Sequence, residues 1–185
     1  NLNTLLIMGL GLIAFIVDTA GGVLFGKLGK EVDPASCARV YEKNLSVGHY
    51  FLPGAEEALA SLSQKYKLYL VSNGTTYVQA KRIENSGIAK YCKEIFISEQ
   101  VGVDKPDKVF FDRCFAKIPG FCKEKAIIVG DSLTSDIQGG INAGIATCWV
   151  NPGHKEAPAH IRPDYEIEAL SQLPQLLEQL APSAR

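Results

Sequence analysis

Charge of either sign is nearly balanced in this chain: the formal net charge is -1. No broad basic or acidic face is therefore expected, and with it no nucleic acid polymer or anionic membrane as partner. Paired cysteines are also missing. Cys37, Cys92, Cys114, Cys122 and Cys148 are odd in number, irregularly spaced and contain no Cys-x-x-Cys, which argues against a zinc site and a disulfide framework. Cys148 lies in the apolar run 146–150 and reads as a small buried hydrophobe, so a reducing cytoplasm is the expected setting. The histidines, His49, His154 and His160, are scattered and read as surface or structural residues. There is no internal repeat, no low-complexity segment and no sequence marker of oligomeric state.

A long apolar span is absent too. Leu5 to Val17 is uncharged, but about 13 residues at a helical rise cover ~20 Å, short of a ~30 Å hydrocarbon core. Extending it to Phe25 places Asp18 inside, at about 2.5–3.5 kcal/mol if central. No Lys or Arg precedes the run, as one would in a signal peptide. A buried strand with an apolar leader is the preferred reading, and no membrane partner is expected.

What is present points to one folded domain with room for a small inserted module: 185 residues, of which 46% are apolar. From residue 54 onward helical and strand patterns alternate. A helix opens at Pro53-Gly54 with Ala55, Ala58, Leu59 and Leu62 at helical spacing. A short strand follows at Leu68–Val71, then a helix over 77–86 stopped by Gly87, and a strand over 94–98. Pro106 is expected to start a helix bearing Val109, Phe110, Cys114 and Phe115. Strands are read at Ala126–Val129, Ala146–Val150 and Tyr165–Ile167, a helix over 134–143 despite the weakening pair Gly139-Gly140, and an amphipathic tail over 170–180. Such β-α-β-α alternation predicts a Rossmann-like α/β fold, a parallel sheet covered by helices on both faces. Ligands then bind at the carboxyl ends of the strands. Residues 26–53 fit the alternation poorly and read as helical pieces, with Asp33-Pro34 as a start signal.

Three polar motifs fall at or just after predicted strand ends. The first is Gly130-Asp131-Ser132-Leu133-Thr134-Ser135-Asp136 after the apolar run 127–129. Two carboxylates on one loop suit a hard, oxygen-liking cation such as Mg²⁺, although Asp131 and Asp136 would equally cap the next helix. The second is Ser72-Asn73-Gly74, whose hydroxyl, amide and backbone N–H can hold phosphate oxygens but which is also an ordinary turn. The third is Lys105-Pro106: proline restrains the lysine before it, and a fixed ammonium can offset charge on a phosphoryl group. A solvated lysine ahead of a helix would look the same.

Taken in order, a strand with Ser72, then Lys105-Pro106, then Gly130-Asp131 with Asp136 resembles motifs two, three and four of the haloacid dehalogenase superfamily over residues 50–180. Val71-Ser72-Asn73-Gly74, Ser98-Glu99-Gln100-Val101-Gly102 and the run from Gly130 to Gly140 resemble its pyrimidine 5′-nucleotidase branch. The resemblance implies that Ser72, Asn73 and Gly74 bind the phosphoryl group of a small-molecule ester. It implies that Lys105 neutralises that group and the nucleophile, that Asp131 ligates Mg²⁺, and that Asp136 supports the metal shell. It also implies a nucleophilic Asp at the end of the first strand, forming an aspartyl-phosphate. Asp18 in Phe15-Ile16-Val17-Asp18-Thr19-Ala20 is the candidate, as nucleophile and metal ligand.

Two departures qualify that expectation. The family's second motif-one Asp, the general acid and base, is Ala20 here, and Ala20 carries no proton. The stretch between Asp18 and Ser72 is also short for the helical cap of the nucleotidase branch. Residues 1–25 are thus read as an atypical first-strand region, 26–53 as a reduced cap, and 54–185 as the α/β core. The expected function is a magnesium-dependent phosphomonoesterase acting on nucleoside 5′-monophosphates or similar esters. The alternative is a phosphate-binding or regulatory protein, or a remnant, that no longer turns over. Metal-free dehalogenation is disfavoured by the pair Asp131 and Asp136.

Overall fold

The structure, a computed structural model, describes residues 4–8, 34–47, 51 and 53–180. Its centre is a six-stranded sheet in the order β3-β2-β1-β4-β5-β6, with every pairing parallel. The strands are β1 (Thr4–Met8), β2 (Lys67–Ser72), β3 (Cys92–Ile97), β4 (Ala126–Gly130), β5 (Ala146–Val150) and β6 (Tyr165–Ile167). The helices are α1 (Pro34–Val47), α2 (Ala55–Lys65), α3 (Thr76–Ser86), α4 (Ser98–Val101), α5 (Lys108–Lys117), α6 (Gln138–Ala143) and α7 (Leu173–Leu180).

Alternation at period two divides the core between the faces of the sheet. Leu68, Leu70, Ile127, Val129, Cys148 and Val150 point one way and pack with Leu59 and Leu62 of α2 and Leu173 and Leu177 of α7. Tyr69, Val71 and Ile128 point the other way, onto Phe110, Phe111, Cys114 and Phe115 of α5. These strands are buried on both faces, and so they read in sequence as unbroken apolar runs. The predicted α/β sandwich is the observed one.

Local differences have local causes. The helix expected to start at Pro106 starts at Lys108, because the Asp107 side chain accepts from Val109 N at 2.8 Å and caps it there. The helix read over 134–143 opens as a π-turn over Leu133–Ile137, where both Asp136 N and Ile137 N donate to Ser132 O, and becomes α6 only afterwards. Gly140 is there for close approach: a Cβ on it would lie 2.5 Å from Ile128 Cγ2 and 2.6 Å from Thr147 Cγ2. The central strand β1 uses the front of the apolar run, pairing Met8 with Val71 and Ile7 with Val129. Asp18, and Phe15 to Val17 before it, lie outside the described residues. Within 26–53, α1 packs on α3, with Asn85 Nδ2 donating to Ser46 O at 3.2 Å. Among the described residues no helix is long and apolar enough to cross a membrane.

Candidate active site

Because all strands run parallel, their carboxyl ends share one edge of the sheet, and the loops there carry the predicted residues. Ser72 ends β2, Ser98 follows β3, and Asp131 follows β4. Lys105 comes from the loop after α4, yet is only 6% exposed. Its ammonium donates to Asp136 Oδ1 at 2.7 Å and to Val71 O at 2.9 Å. Asp136, 1% exposed, accepts Ser132 N on its other oxygen at 3.1 Å. A buried ammonium with a carboxylate and a carbonyl on it, and a buried carboxylate with both oxygens engaged, meet the condition for a tolerable buried ion pair.

Asn73 fixes Lys105 through the main chain. Its Oδ1 accepts Lys105 N and its Nδ2 donates to Lys105 O, both at 2.9 Å. This side chain therefore acts as a clamp between the β2 loop and the Lys105 loop. Gln79, on the first turn of α3, donates from Nε2 to Asn73 O at 3.2 Å. Gly74 makes room for it: φ is 137° and a Cβ would stand 2.8 Å from Gln79 Nε2. Gly74 N donates to Ser98 Oγ at 3.1 Å and Thr76 N to Glu99 Oε2 at 2.8 Å, which ties the β2 loop to the β3 loop. Ser72, 3% exposed, stands at the tip of β2 beside this network.

Burial dominates the electrostatics of the two carboxylates. Burial pushes Asp131 above its ordinary range, and the charge of Asp136 adds to that. Burial also pushes Asp136 up, against the pull of Lys105 and the Ser132 N–H. The Asp131 carboxylate is a hard oxygen donor whose ionised form Lys105 and Lys155 favour. A hard divalent cation with oxygen ligands fits that donor chemistry. Among the described residues there is no cluster of three or more His, Cys, Asp or Glu side chains that could hold a metal ion. Asp131 would thus share such an ion with water, main chain, or a residue outside the described set.

The structure brings together Ser72, Asn73, Gly74, Lys105, Asp131 and Asp136; Asp18 lies outside the described residues. Sequence reasoning missed the supporting residue Gln79, and it gave no role to Ser98, named only within a motif, or to Trp149, whose indole Nε1 donates to Asp131 O at 3.0 Å. The supporting roles of Ser98 and Trp149 follow from their places at strand ends; that of Gln79, one helical turn into α3, does not.

Comparison with known proteins agrees with this geometry. The haloacid dehalogenase-like hydrolase family matches residues 13–150, a span that includes Asp18 and begins beyond the end of β1. The HAD-hydrolase YfnB of Bacillus subtilis is 41% identical over 162 residues, 88% of this chain and 69% of that protein. The pyrimidine 5′-nucleotidase PynA of Streptococcus pneumoniae is 42% identical over 159 residues, 85% of this chain and 67% of that protein. The crystal structure of YfnB bound to magnesium superposes with a TM-score of 0.86 at 31% identity, covering 95% of this chain and 98% of that one. With the family matched over most of its length and the motif residues gathered at one sheet edge, this chain belongs to the haloacid dehalogenase-like hydrolases.

Proposed function

We propose that the chain is a magnesium-dependent phosphomonoesterase acting on small phosphate esters, nucleoside 5′-monophosphates first among them. The observation that carries this reading is the buried Lys105 beside Asp136 and Asp131 at the carboxyl edge of the sheet, a charge arrangement suited to a phosphoryl dianion held with a divalent cation. Pyrimidine 5′-nucleotidases among its relatives, PynA and the Escherichia coli YjjG, which is 40% identical over 126 residues, support the substrate class.

In this reading Ser72, with the backbone of the Asn73-Gly74 turn, orients the phosphoryl group, and Lys105 offsets its charge. Asp131 holds Mg²⁺, with Asp136 fixing both Lys105 and the Ser132 turn. The bound ion supplies Lewis-acid polarisation of a phosphoryl oxygen. The Asp18 carboxylate attacks phosphorus and the ester oxygen leaves with the bonding pair. Water then cleaves the aspartyl-phosphate and returns the carboxylate and inorganic phosphate. Ala20 cannot donate a proton to the departing oxygen, so that proton comes from water, and the step forgoes the ~10²- to 10⁴-fold that a placed acid contributes. Residues 26–53, with α1 seated on α3, would form a reduced cap over the site.

The test is magnesium-dependent phosphate release by the purified chain from a panel of monophosphates, with Asp18→Asn as control. Release that Asp18→Asn abolishes supports the reading; absence of release from every ester refutes it. The alternative, a phosphate-binding protein without turnover, is favoured by Ala20 and predicts calorimetric binding of Mg²⁺ and phosphate with no release.

A further inference from the structure

Gln79 stands on the first turn of α3 and is only 7% exposed, a rare place for a primary amide. Its amide is half used. Nε2 donates to Asn73 O at 3.2 Å, whereas Oε1 is buried with no hydrogen-bond partner among the described residues. An unsatisfied buried acceptor costs the folded state, and an aliphatic side chain at position 79 would remove that cost. The advantage of an amide here is therefore its donor. Contact with the turn is close along the side chain, since a Cβ on Gly74 would stand 2.8 Å from Gln79 Nε2, 3.3 Å from its Cγ and 3.5 Å from its Cδ.

The carbonyl that Gln79 holds is shared. Ser72 Oγ also donates to Asn73 O, at 3.4 Å, longer than an ordinary hydroxyl bond and correspondingly weak. A carbonyl oxygen has two lone pairs and takes both donors, but a hydroxyl has one proton to give. The N–H of the same peptide unit, Gly74 N, is held by Ser98 Oγ at 3.1 Å. The Asn73-Gly74 peptide is thus pinned at its oxygen by Gln79 and at its nitrogen by Ser98, without help from Ser72. That peptide also carries the Asn73 side chain that clamps Lys105.

We propose that Gln79 is a positioning residue for anion binding: by holding Asn73 O it releases the Ser72 hydroxyl to turn from that carbonyl to a phosphoryl oxygen. The inference rests on the phosphate-ester reading, in which Ser72 orients the phosphoryl group. When Ser72 gives its proton to the anion, Asn73 O keeps the Gln79 amide as donor and is not left unsatisfied in a buried turn. A long neutral bond is then exchanged for a charge-assisted one. Without the amide, the Ser72 hydroxyl is the remaining side-chain donor to Asn73 O among the described residues, and an anion must compete with the carbonyl for it.

The experiment is calorimetric titration of the full chain with inorganic phosphate at fixed Mg²⁺, which needs no turnover. Gln79→Met keeps the length of the side chain and removes the donor. It is expected to weaken phosphate binding roughly 3- to 10-fold, the worth of the one neutral hydrogen bond that must then be broken. Its melting temperature should move by no more than about 4 °C, because the orphan Oε1 is removed and Asn73 O keeps its Ser72 donor. In a Ser72→Ala background no hydroxyl is left to release, so there Gln79→Met should change affinity by less than about 2-fold. Gln79→Leu, which also lacks the donor, takes its place in the cycle should Gln79→Met not fold. Unchanged affinity in Gln79→Met, a loss of equal size in the Ser72→Ala background, or no phosphate binding by the wild type overturns the proposal. Weakened binding that Ser72→Ala masks, with no ester hydrolysed by the wild type, upholds it and removes the phosphatase reading. Hydrolysis by the wild type with affinity and KM unmoved in Gln79→Met overturns it and leaves the phosphatase reading standing.

Discussion

Replacing Lys105 by Met keeps most of the side-chain volume and removes a charge from a pair 2.7 Å apart whose side chains are 4% and 2% exposed. At an effective dielectric of ~20 the direct attraction is about 6 kcal/mol. The desolvation of both ions offsets much of that, so the pair's net worth is small. Removing one partner is different, because Asp136 is then buried without its counter-ion at a cost of about 3–5 kcal/mol. Val71 O also loses its donor, for about 1 kcal/mol more. Against a domain stability of about 5–15 kcal/mol, Lys105→Met should lower the melting temperature by roughly 8–24 °C at this chain length. Urea unfolding followed by circular dichroism gives the free energy, and Lys105→Met with Asp136→Asn gives the cycle. Asn keeps an acceptor for Ser132 N and carries no charge, so the double variant should recover at least about 2 kcal/mol. The sign with pH follows from Asp136, whose folded-state carboxyl lies above its ordinary range through burial and rises further without Lys105. A raised carboxyl binds its proton more tightly folded than unfolded, so stability falls as pH rises through that window. The Lys105→Met deficit should therefore shrink in acid and be complete above the folded-state value. A single variant within about 1 kcal/mol of wild type at neutral pH, or a double variant no better than the single, would refute the reasoning.

Three further outcomes are expected. Gly140→Ala should cost about 1–3 kcal/mol, because its Cβ would stand 2.5 Å from Ile128 Cγ2; an unchanged thermal midpoint would mean that α6 can lift off the sheet freely. Asp131→Asn should abolish the Mg²⁺-induced rise in melting temperature. Without metal it should be more stable than wild type at pH 8, since burial and Asp136 raise the Asp131 carboxyl and ionising it costs the folded state; that advantage should fade as pH falls. Ala20→Asp should raise turnover of nucleoside monophosphates by ~10²-fold or more while esters with acidic leaving groups gain little; an equal gain for both would show that leaving-group protonation is not what Ala20 lacks.

Much of this architecture could be read from residue pattern because strand and helix periods impose it. Leu68 to Val71 and Ala126 to Val129 are unbroken apolar runs, which only strands covered on both faces require. Gly87 stopped α3 as predicted, with φ 67°. What pattern could not supply was side-chain pairing across distant loops. Asn73 was read as a phosphate ligand from its motif; its two hydrogen bonds to the Lys105 backbone become visible only once a β2 loop meets a loop thirty-odd residues later. The first strand shows the opposite limit. An apolar run longer than one strand offers several registers, and period alone does not choose which of its residues pair with β2 and β4.

In the proposed scheme binding and turnover draw on different segments, and that separates their experimental fates. The candidate anion- and metal-binding groups among the described residues stand on the loops after β2, β3, α4 and β4, and those loops are tied to one another: Gly74 to Ser98, Asn73 to Lys105, Lys105 to Asp136. Such a network is cooperative, so loss of one link disturbs the others. None of these residues is a plausible nucleophile, because Asp136 has both oxygens engaged and Asp131 is the metal carboxylate in the proposed scheme. In the proposed scheme covalent chemistry falls to Asp18, with Ala20 standing where the resemblance implies a proton donor. Asp18→Asn should lower kcat far more than it lowers phosphate affinity, and should weaken Mg²⁺ only by the loss of one ligand, whereas substitutions at Asn73 or Lys105 should lower both kcat and phosphate affinity. If Asp18→Asn weakened phosphate binding as severely as Lys105→Met does, the nucleophile and the anion site would be one unit, and the division argued here would fail.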